Sequence, residues 1–576
     1  MSTYPVFYED VVGATERAPG PALSDLNLPD ALKAALVAHY GADIRLSPPQ
    51  VWAVENGVIG DKVDFLVCAP TNSGKTLIGI LRMFSAALEN GGRSVYVVPL
   101  KALAEEKVAE FRRIASEIEK HDGKPIQISI TTGDYQLTED FLGSPPPDAG
   151  EIVICTPERL EVMLRNAENH DWARAVSTYV IDEFHLLGEG ERGGRVECLI
   201  TRLFTACPWS SVIGLSATIG GIAHIRKWFE ENGRTLKEVV SEYRFPRLFR
   251  KVVLTEDKEG FVQERTRAVL KDPDRGLLVF VYRKADAVKL ASVLGDLSGQ
   301  ASCVGAFHAG FSRDQKQVLM ERFRKGEIRV LVTTTSLKMG VNFPVTDVIV
   351  RDTLFYGSGR LLISDILQMM GRAGRGNVAG NAWVLCEDFD AATEYQEGLS
   401  SGRLDDLVPQ LGRPNAVRTR ADDRQREALD PLRGLILTEL TVRKKASVEE
   451  VGTFLGRTYT ASRGELQVGD LAGQFGFLET GKLIYKIEGS EATYSPTKLG
   501  RTVSLTGICP ESGATLAGFL RALIRLSEKK VDANEGNPRY LARLTDLDFL
   551  FLALASFETR SGWIRECMGV VPGLVW

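Results

Sequence analysis

Short runs that are apolar at nearly every position recur along the first 390 residues, and stretches with helical spacing lie between most of them. Such runs suit strands buried on both faces of a parallel sheet. In the first half they fall at 64–69, 94–98, 127–131, 151–155, 177–181 and 211–215, with amphipathic stretches such as 77–88 and 102–118 between. The pattern restarts at 276–281, 303–307, 328–333, 346–350 and 382–386, with helical segments such as 284–294 and 313–324. Strands alternating with helices predict an α/β fold. Here it comes as two tandem domains of similar size, joined near residues 240–255.

The flanks read differently. Residues 1–30 are rich in Pro, Gly and acidic side chains and are expected to wrap loosely over the surface, and a short helix is expected over 30–39. An arginine-studded stretch from Arg413 to Arg426 also carries Asp and Glu, which suits a solvated linker. Residues 431–505 read as short helices followed by a hairpin over 483–494, the order of a winged helix. The expected organisation is an N-terminal extension (1–30), a first α/β domain (31–245), a second (246–400), a linker (401–430), a winged-helix domain (431–505) and a short helical segment (506–576).

Composition narrows the class. The 576 residues are 44% hydrophobic and 25% charged, which is ordinary for a globular protein and too apolar for a disordered chain. No apolar run approaches the roughly 18 residues of a membrane span, and no secretory signal is visible at the N-terminus. Eight cysteines without CxxC spacing indicate neither a disulfide framework nor a zinc site. A cytoplasmic or nucleoid-associated protein with reduced thiols and no membrane partner is expected. The net charge of −5 argues against a bulk polyanion binder but leaves room for a locally basic groove.

Candidate chemistry begins at residues 69–76, which read APTNSGKT. Strand, loop and Gly-Lys-Thr at a helix start form the context of a P-loop, although Ala69 stands where the general pattern has its first glycine. Backbone N–H groups of Thr71, Asn72, Ser73 and Gly74 can cradle phosphate oxygens. Lys75 would reach the β- and γ-phosphates of a nucleotide, and the Thr76 hydroxyl would ligate Mg2+. About a hundred residues on, a buried strand ends in Asp182-Glu183-Phe184-His185. Asp182 can hold Mg2+ through its water shell, Glu183 can polarise the attacking water, and His185 can relay to the rest of the cleft. In the second domain, Gln368-Met-Met-Gly-Arg372-Ala-Gly-Arg375 sets two arginines three residues apart, on one helical face. A planar, always charged guanidinium suits the charge that develops on a transferring phosphoryl group.

In this order and spacing the segments resemble superfamily 2 helicases, and within them the Ski2-like group that includes the Hel308-type DNA helicases. The resemblance covers about residues 25–510. It implies two RecA-like domains with ATP and Mg2+ between them, and Gln368 acting with Glu183, Arg372 and Arg375. Pro49-Gln50 is similar to the adenine-reading Q segment, and 334–344 is similar to motif V, which adds Gly340 and Asn342 to the nucleotide contacts. Lys101, Thr132, Gly133, Thr156 and Arg159, with Arg283, His308 and Thr334 in the second domain, match positions that grip a nucleic-acid strand. Ser216 and Thr218 resemble motif III and, with His185, would couple nucleotide to strand. Residues 495–501 are similar to the end of the family's wing. The family usually has Gly where Asn72 stands, and Ile or Val where Phe184 stands.

The implied activity is ATP-driven translocation along single-stranded or tailed duplex nucleic acid, 3′ to 5′, with strand separation. DNA is favoured over RNA because RNA-specific insertions are absent. An RNA helicase of the same group and an ATP-gated clamp subunit without processive unwinding are the alternatives. Between Thr346 and Ser364, two β-prone arms around Gly357-Ser-Gly359 read as a hairpin. In the group that it resembles, a hairpin here splits the duplex, with Phe355 and Tyr356 placed to stack on the last base pair. The helical C-terminal segment is shorter than in Hel308-type proteins, so an apolar surface around residues 547–557 is expected to meet either a protein partner or the winged helix.

Overall fold

The computed structural model describes residues 4–17, 20–60, 62–131, 150–165, 170–299, 301–308, 310–334, 345–355, 359–374, 376–402, 404, 406–411, 431–466, 471–487, 492–506, 508–518 and 521. The expected partner surface at 547–557 and most of the linker after residue 411 lie outside them.

Along the chain, β1 (Val6–Val12) is followed by β2 (Asp64–Cys68), β3 (Arg93–Val97), β4 (Ile126–Thr131), β5 (Gly150–Cys155), β6 (Val176–Asp182), β7 (Ser211–Ser216) and β8 (Leu236–Val240). Strands β2 to β8 form one sheet in the order β4-β5-β3-β6-β7-β2-β8, every pair parallel. β2, β3, β5 and β7 are buried at every position, as their apolar runs require. β8 escaped the sequence reading because Lys237 and Glu238 break its run; it lies at the sheet edge, where charge is tolerated.

The next strands are β9 (Leu248–Leu254), β10 (Leu277–Phe280), β11 (Val304–Phe307), β12 (Val330–Thr333) and β13 (Asp347–Val350). A hairpin of β14 (Leu354–Phe355) and β15 (Gly359–Arg360) follows, then β16 (Gly380–Cys386). The second sheet runs β1-β9-β16-β13-β10-β12-β11. Its pairs are parallel except that β1 lies antiparallel on β9.

Two expectations change here. The connector near 240–255 shortens to 241–247, because residues 248–254 form the sheet strand β9. The N-terminal residues do not drape over the surface; they extend the second sheet. Arg250 grips both carboxylate oxygens of Asp10, and Lys251 pairs with Glu9 at 3.1 Å. The Tyr4 hydroxyl donates to Asp257 at 2.7 Å, and Phe7 meets Phe389 edge to face.

A third unit holds β17 (Ala446–Ser447), β18 (Ile484–Lys486) and β19 (Thr493–Pro496), antiparallel in the order β17-β19-β18. Helices Pro431–Arg443, Val448–Leu455, Leu471–Thr480 and Lys498–Thr506 surround it. Helices leading to a hairpin are the order anticipated for a winged helix. This unit docks on the first domain. Trp228 donates its indole N–H to Arg457 O at 2.8 Å, and Arg202 pairs with Glu439 at 3.0 Å, the latter pair nearly fully buried. No helix among the described residues is long and apolar enough to cross a membrane.

Glu197, wholly buried at the same junction, accepts hydrogen bonds from Thr460 N at 2.6 Å and Thr460 Oγ1 at 3.0 Å. Burial pushes its carboxyl up to about 7 despite these bonds and one from Thr458, and the charge of Glu465 adds to the rise. A folded pKa raised above the unfolded one gives stability that is present below the ordinary carboxylate range and lost as pH rises through 7. Thermal denaturation between pH 5 and 8 should therefore show a steeper loss of stability in the parent than in Glu197→Gln. Equal slopes would remove this role from Glu197.

Candidate nucleotide cleft and nucleic-acid groove

β2 delivers the chain into the 69–76 loop, and helix Lys75–Asn90 leaves it. Asn72 and Gly74 both adopt left-handed backbone, at φ 68° and 83°. Asn is among the few side chains that tolerate that region, so it can stand at a loop position that favours glycine. Lys75 Nζ donates to the carbonyls of Ala69 at 2.6 Å and Pro70 at 2.9 Å, which folds it into its own loop. Gln50 braces the loop from outside. Its Oε1 accepts from Ser47 N and its Nε2 donates to Gly74 O, both at 2.8 Å, so much of its amide is committed to protein contacts. Ser73 Oγ is buried without a partner among the described residues, a donor of the kind a phosphate oxygen satisfies.

The acidic wall comes from β6. Asp182 ends the strand, and its carboxylate accepts from the Tyr96 hydroxyl at 2.8 Å and from Glu183 N at 3.0 Å. Glu183 itself sits at φ 54°, a strained backbone of the sort concentrated at functional sites. Its Oε2 lies 3.5 Å from Nδ1 of the buried His185. Phe184 is fully buried against Gly214, where a β-carbon would come within 2.7 Å of the ring. The Phe184 ring is thus accommodated by a residue of β7 that has no side chain. Burial pulls the Lys75 ammonium below its ordinary pKa while Glu183 and Asp182 act the other way; burial and the charge of Glu183 raise Asp182.

These groups line a cleft of about 730 Å³ between the two α/β domains. Lys75, Thr76, Asp182 and Glu183 form one wall, and Arg324 and Arg372 reach it from the other. Gln368, on helix Ile363–Met370, does not line the cleft. Arg375, Gly340 and Asn342 lie outside the described residues. Several ties across the cleft have no signal in the sequence. Asn72 Nδ2 donates to Gly374 O at 3.4 Å, and Arg324 pairs with Glu106 at 3.2 Å. Arg244, in the connector and only 2% exposed, donates to Thr71 O at 3.2 Å, Gly371 O at 3.0 Å and Ala373 O. Burial brings its guanidinium down to about 10. The hard oxygen donors Thr76 and Asp182, with Tyr96 hydrogen-bonding to Asp182, fit a Mg2+-nucleotide.

A second cavity, about 620 Å³, brings together Lys101, Thr156 and Arg159, three of the expected strand contacts. Leu505 and Thr506 of the third unit close its far side, and Arg192, unforeseen from the sequence, joins it while donating to Pro99 O at 2.6 Å. Arg159 Nε donates to Thr131 Oγ1 at 3.1 Å, which steadies the guanidinium. Thr132 and Gly133 lie outside the described residues. Arg283, His308 and Thr334 belong to the second domain and do not line this cavity. Arg283 is exposed beside the Tyr282 ring, His308 Nδ1 accepts from Gly310 N at 3.1 Å, and Thr334 is buried. Ser216 is buried at the end of β7, where its carbonyl accepts from Ala69 N at 3.2 Å, so the Ser216–Thr218 segment is bonded directly to the P-loop strand. Thr218 follows it, half-buried.

The hairpin is present with arms shorter than the sequence suggested: Leu354 pairs with Arg360 and Phe355 with Gly359. Arg360 anchors its base to Asp388 at 2.9 Å and Glu394 at 2.8 Å. Tyr356 and the Phe355 side chain lie outside what is described.

Lys75→Ala should weaken binding of a fluorescent ATP analogue by tenfold or more, through loss of a charge-assisted contact. Tyr96→Phe should leave metal-free nucleotide binding unchanged and lower the apparent Mg2+ affinity by about tenfold, because it releases Asp182. A nucleotide titration at stepped Mg2+ concentrations checks both, and an unaltered Mg2+ dependence in Tyr96→Phe would remove that role.

Comparison with known proteins agrees with this geometry. The DEAD/DEAH box helicase family matches residues 47–225, and the helicase conserved C-terminal domain matches 262–377. The chain is 32% identical over 465 residues to the ATP-dependent DNA helicase Hel308 of Pyrococcus horikoshii, covering 73% of this chain and 59% of that protein. It is 30% identical over 492 residues to that of Pyrococcus abyssi, covering 77% and 62%. The chain thus spans about three fifths of the length of these two relatives. The match to Hel308 of Methanocella arvoryzae, at 29% identity, covers 93% of this chain and 74% of that one. Among solved structures, the DUF1998 helicase MrfA bound to DNA superposes with a TM-score of 0.63 at 18% identity, over 88% of this chain and 64% of that one. The Mycobacterium smegmatis helicase Lhr, bound to ssDNA and AMP-PNP, gives 0.63 at 21%, over 84% and 62%. At such identities the likeness concerns the fold. Two domain matches in sequence, their relatives and a cleft walled by both domains lead to one conclusion: the chain belongs to the superfamily 2 helicases, in the Ski2-like group with the Hel308-type proteins.

Proposed function

We propose that the chain binds Mg2+-ATP in the cleft between its α/β domains and uses hydrolysis to move 3′ to 5′ along single-stranded DNA, separating duplexes. The observation that carries this reading is the cleft itself, with Lys75, Asp182 and Glu183 on one wall and Arg372 on the other. Neither domain holds the whole set, so occupancy favours closure and loss of the γ-phosphate favours opening. The groove at Lys101, Thr156 and Arg159 would grip phosphate and sugar, which makes binding sequence-independent and salt-sensitive. DNA is chosen over RNA because the Hel308 relatives are named DNA helicases and the MrfA and Lhr structures hold DNA. The domain boundaries proposed are 31–245, 246–400 and 431–505, with residues 20–30 joined to the first domain and β1 to the second, and with a cytoplasmic or nucleoid-associated site of action.

In this mechanism the P-loop amides and Lys75 would hold the phosphates, while Asp182, steadied by Tyr96, and Thr76 would hold the cation. Mg2+, when bound, would offset phosphate charge during transfer. Glu183 orients the attacking water and accepts its proton, and Arg372 meets charge building on the transferring group. Arg244 keeps the loop carrying Arg372 in register with the P-loop.

ATPase rates with single-stranded DNA and RNA of equal length test the reading, and 3′- against 5′-tailed duplexes test the polarity. No stimulation by either nucleic acid would overturn it. Glu183→Gln should keep ATP affinity and cut turnover about a hundredfold or more; turnover within a factor of two of the parent contradicts the assignment. Replacing residues 356–360 with a two-residue turn should abolish unwinding of a tailed duplex and spare DNA-stimulated ATPase. If unwinding survives, the hairpin is only a connection.

A further inference from the structure

The connector at 241–247 is not the sole path between the two α/β domains among the described residues. β1 is held on the second sheet by its ladder to β9 and by the Asp10–Arg250 and Glu9–Lys251 pairs. A few residues later the chain belongs to the first domain. Ala22 bridges to Arg45, Leu46 N donates to Pro21 O at 3.0 Å, and Arg45 Nη1 donates to Gly20 O at 3.0 Å. Between Val12 on the second sheet and Gly20 on the first domain the chain therefore changes domain, and Gly13 and Ala14 begin this strap beside the connector. The two crossings are joined, because Ala14 N donates to Arg244 O at 2.8 Å. Gly13, at φ 93°, lies so close that a β-carbon there would meet the same oxygen at 2.8 Å.

This strap reaches the nucleotide cleft. Arg17 lines it, with its guanidinium carbon 5.5 Å from the centre of the Phe245 ring in the connector. The sheet order shows which end they occupy. β6, with Asp182 and Glu183, lies on one side of the P-loop strand β2, and β8 lies on the other. Helix Pro48–Glu55, which carries Gln50, packs against β8, and Arg45, just before that helix, is bridged to the strap. Arg17, Ile44 and Gln50 thus gather away from the carboxylates, in the space left to the base once phosphates lie at Lys75. An exposed guanidinium over an aromatic ring is a cation–π pair, and its planar outer face can stack on a heteroaromatic base.

We propose that residues 4–17 form a clasp, a second interdomain connection that supplies Arg17 as a stacking contact for the base of the bound nucleotide. The proposal deepens the nucleotide reading of the cleft and rests on it. The strap 13–20 reaches at most about 28 Å and the connector 241–247 about 25 Å, so together they leave the domains a hinge rather than free separation. Base contact on the strap is then felt by the second domain through β1, and nucleotide affinity depends on strap length as well as on Arg17.

The test measures dissociation constants for ATP and for inorganic tripolyphosphate on the full chain. The variants are Arg17→Ala, Lys75→Ala and an insertion of six Gly/Ser residues between Ala14 and Thr15, with melting curves to confirm folding. Arg17→Ala should bind ATP about tenfold more weakly and tripolyphosphate as the parent does. The insertion, which leaves β1 and Arg17 intact, should also weaken ATP several-fold. Unchanged ATP affinity in Arg17→Ala, with a loss in Lys75→Ala, overturns the clasp and leaves the nucleotide site standing. Equal losses for ATP and tripolyphosphate would make Arg17 a phosphate contact and overturn base stacking. An insertion without effect would reduce the strap to a tail. If Lys75→Ala also binds ATP like the parent, the nucleotide reading fails and the clasp fails with it.

Discussion

A half-buried ammonium needs compensation, and Lys75 obtains it from two directions. The carbonyls of Ala69 and Pro70 hold it from its own loop, and the charges of Asp182 and Glu183 face it from β6. Much of the molecule arranges that meeting. The loop must turn through left-handed backbone at Asn72 and Gly74, β2 and β6 must stand one strand apart in a parallel sheet, and Phe184 must fit over Gly214. A charge cluster in low dielectric is costly unless its partners are fixed, which is why the surrounding bonds are made to backbone as much as to side chains. Tyr96, Ser47 and Gln50 all serve the geometry of this one site.

The same constraint operates between domains. Arg244 is almost completely buried, and its described bonds run to backbone carbonyls of the P-loop and of the segment carrying Arg372. Such a group is stable only while both loops are in place, so it ties the 69–76 loop of one domain to the segment carrying Arg372 in the other. The third unit answers to the first domain instead, through Arg202, Glu197 and Trp228. That docking makes its last helix a wall of the groove holding Lys101 and Arg159. The cleft proposed for the nucleotide lies between the two α/β domains, and the groove between the first domain and the third unit. In the proposed mechanism, closure of the former would move the second domain against a surface that stays with the first.

Much of this was legible in the chain because the relevant signals are local. Strands buried on both faces must be apolar throughout, so β2, β3, β5 and β7 announce themselves. Backbone amides at a helix start can bind phosphate through local geometry alone, so Gly74-Lys75-Thr76 after an apolar strand is informative without a fold. Asp182-Glu183 at a strand end carries the same kind of information, and Gly357-Ser-Gly359 between β-prone arms signalled that β14 and β15 pair.

What only the tertiary structure decided is which distant surfaces meet. β1 carries tyrosine, glutamate and aspartate, and in sequence it looks like a solvated leader. It becomes a strand because the β9 edge offers unpaired backbone together with Arg250 and Lys251, some 240 residues away. Arg202, Glu439 and Glu197 read as ordinary surface charges until packing removes their water. Arg244 and Arg17 sit in connecting segments without periodicity, and their roles follow from what the crossing chains pass beside. By itself the sequence determined the elements, their apolar faces and the loop chemistry, because those depend on neighbours a few residues apart. Tertiary structure chose the partners of buried charges and sheet edges, because that choice depends on the free energy of surfaces that local sequence does not bring together.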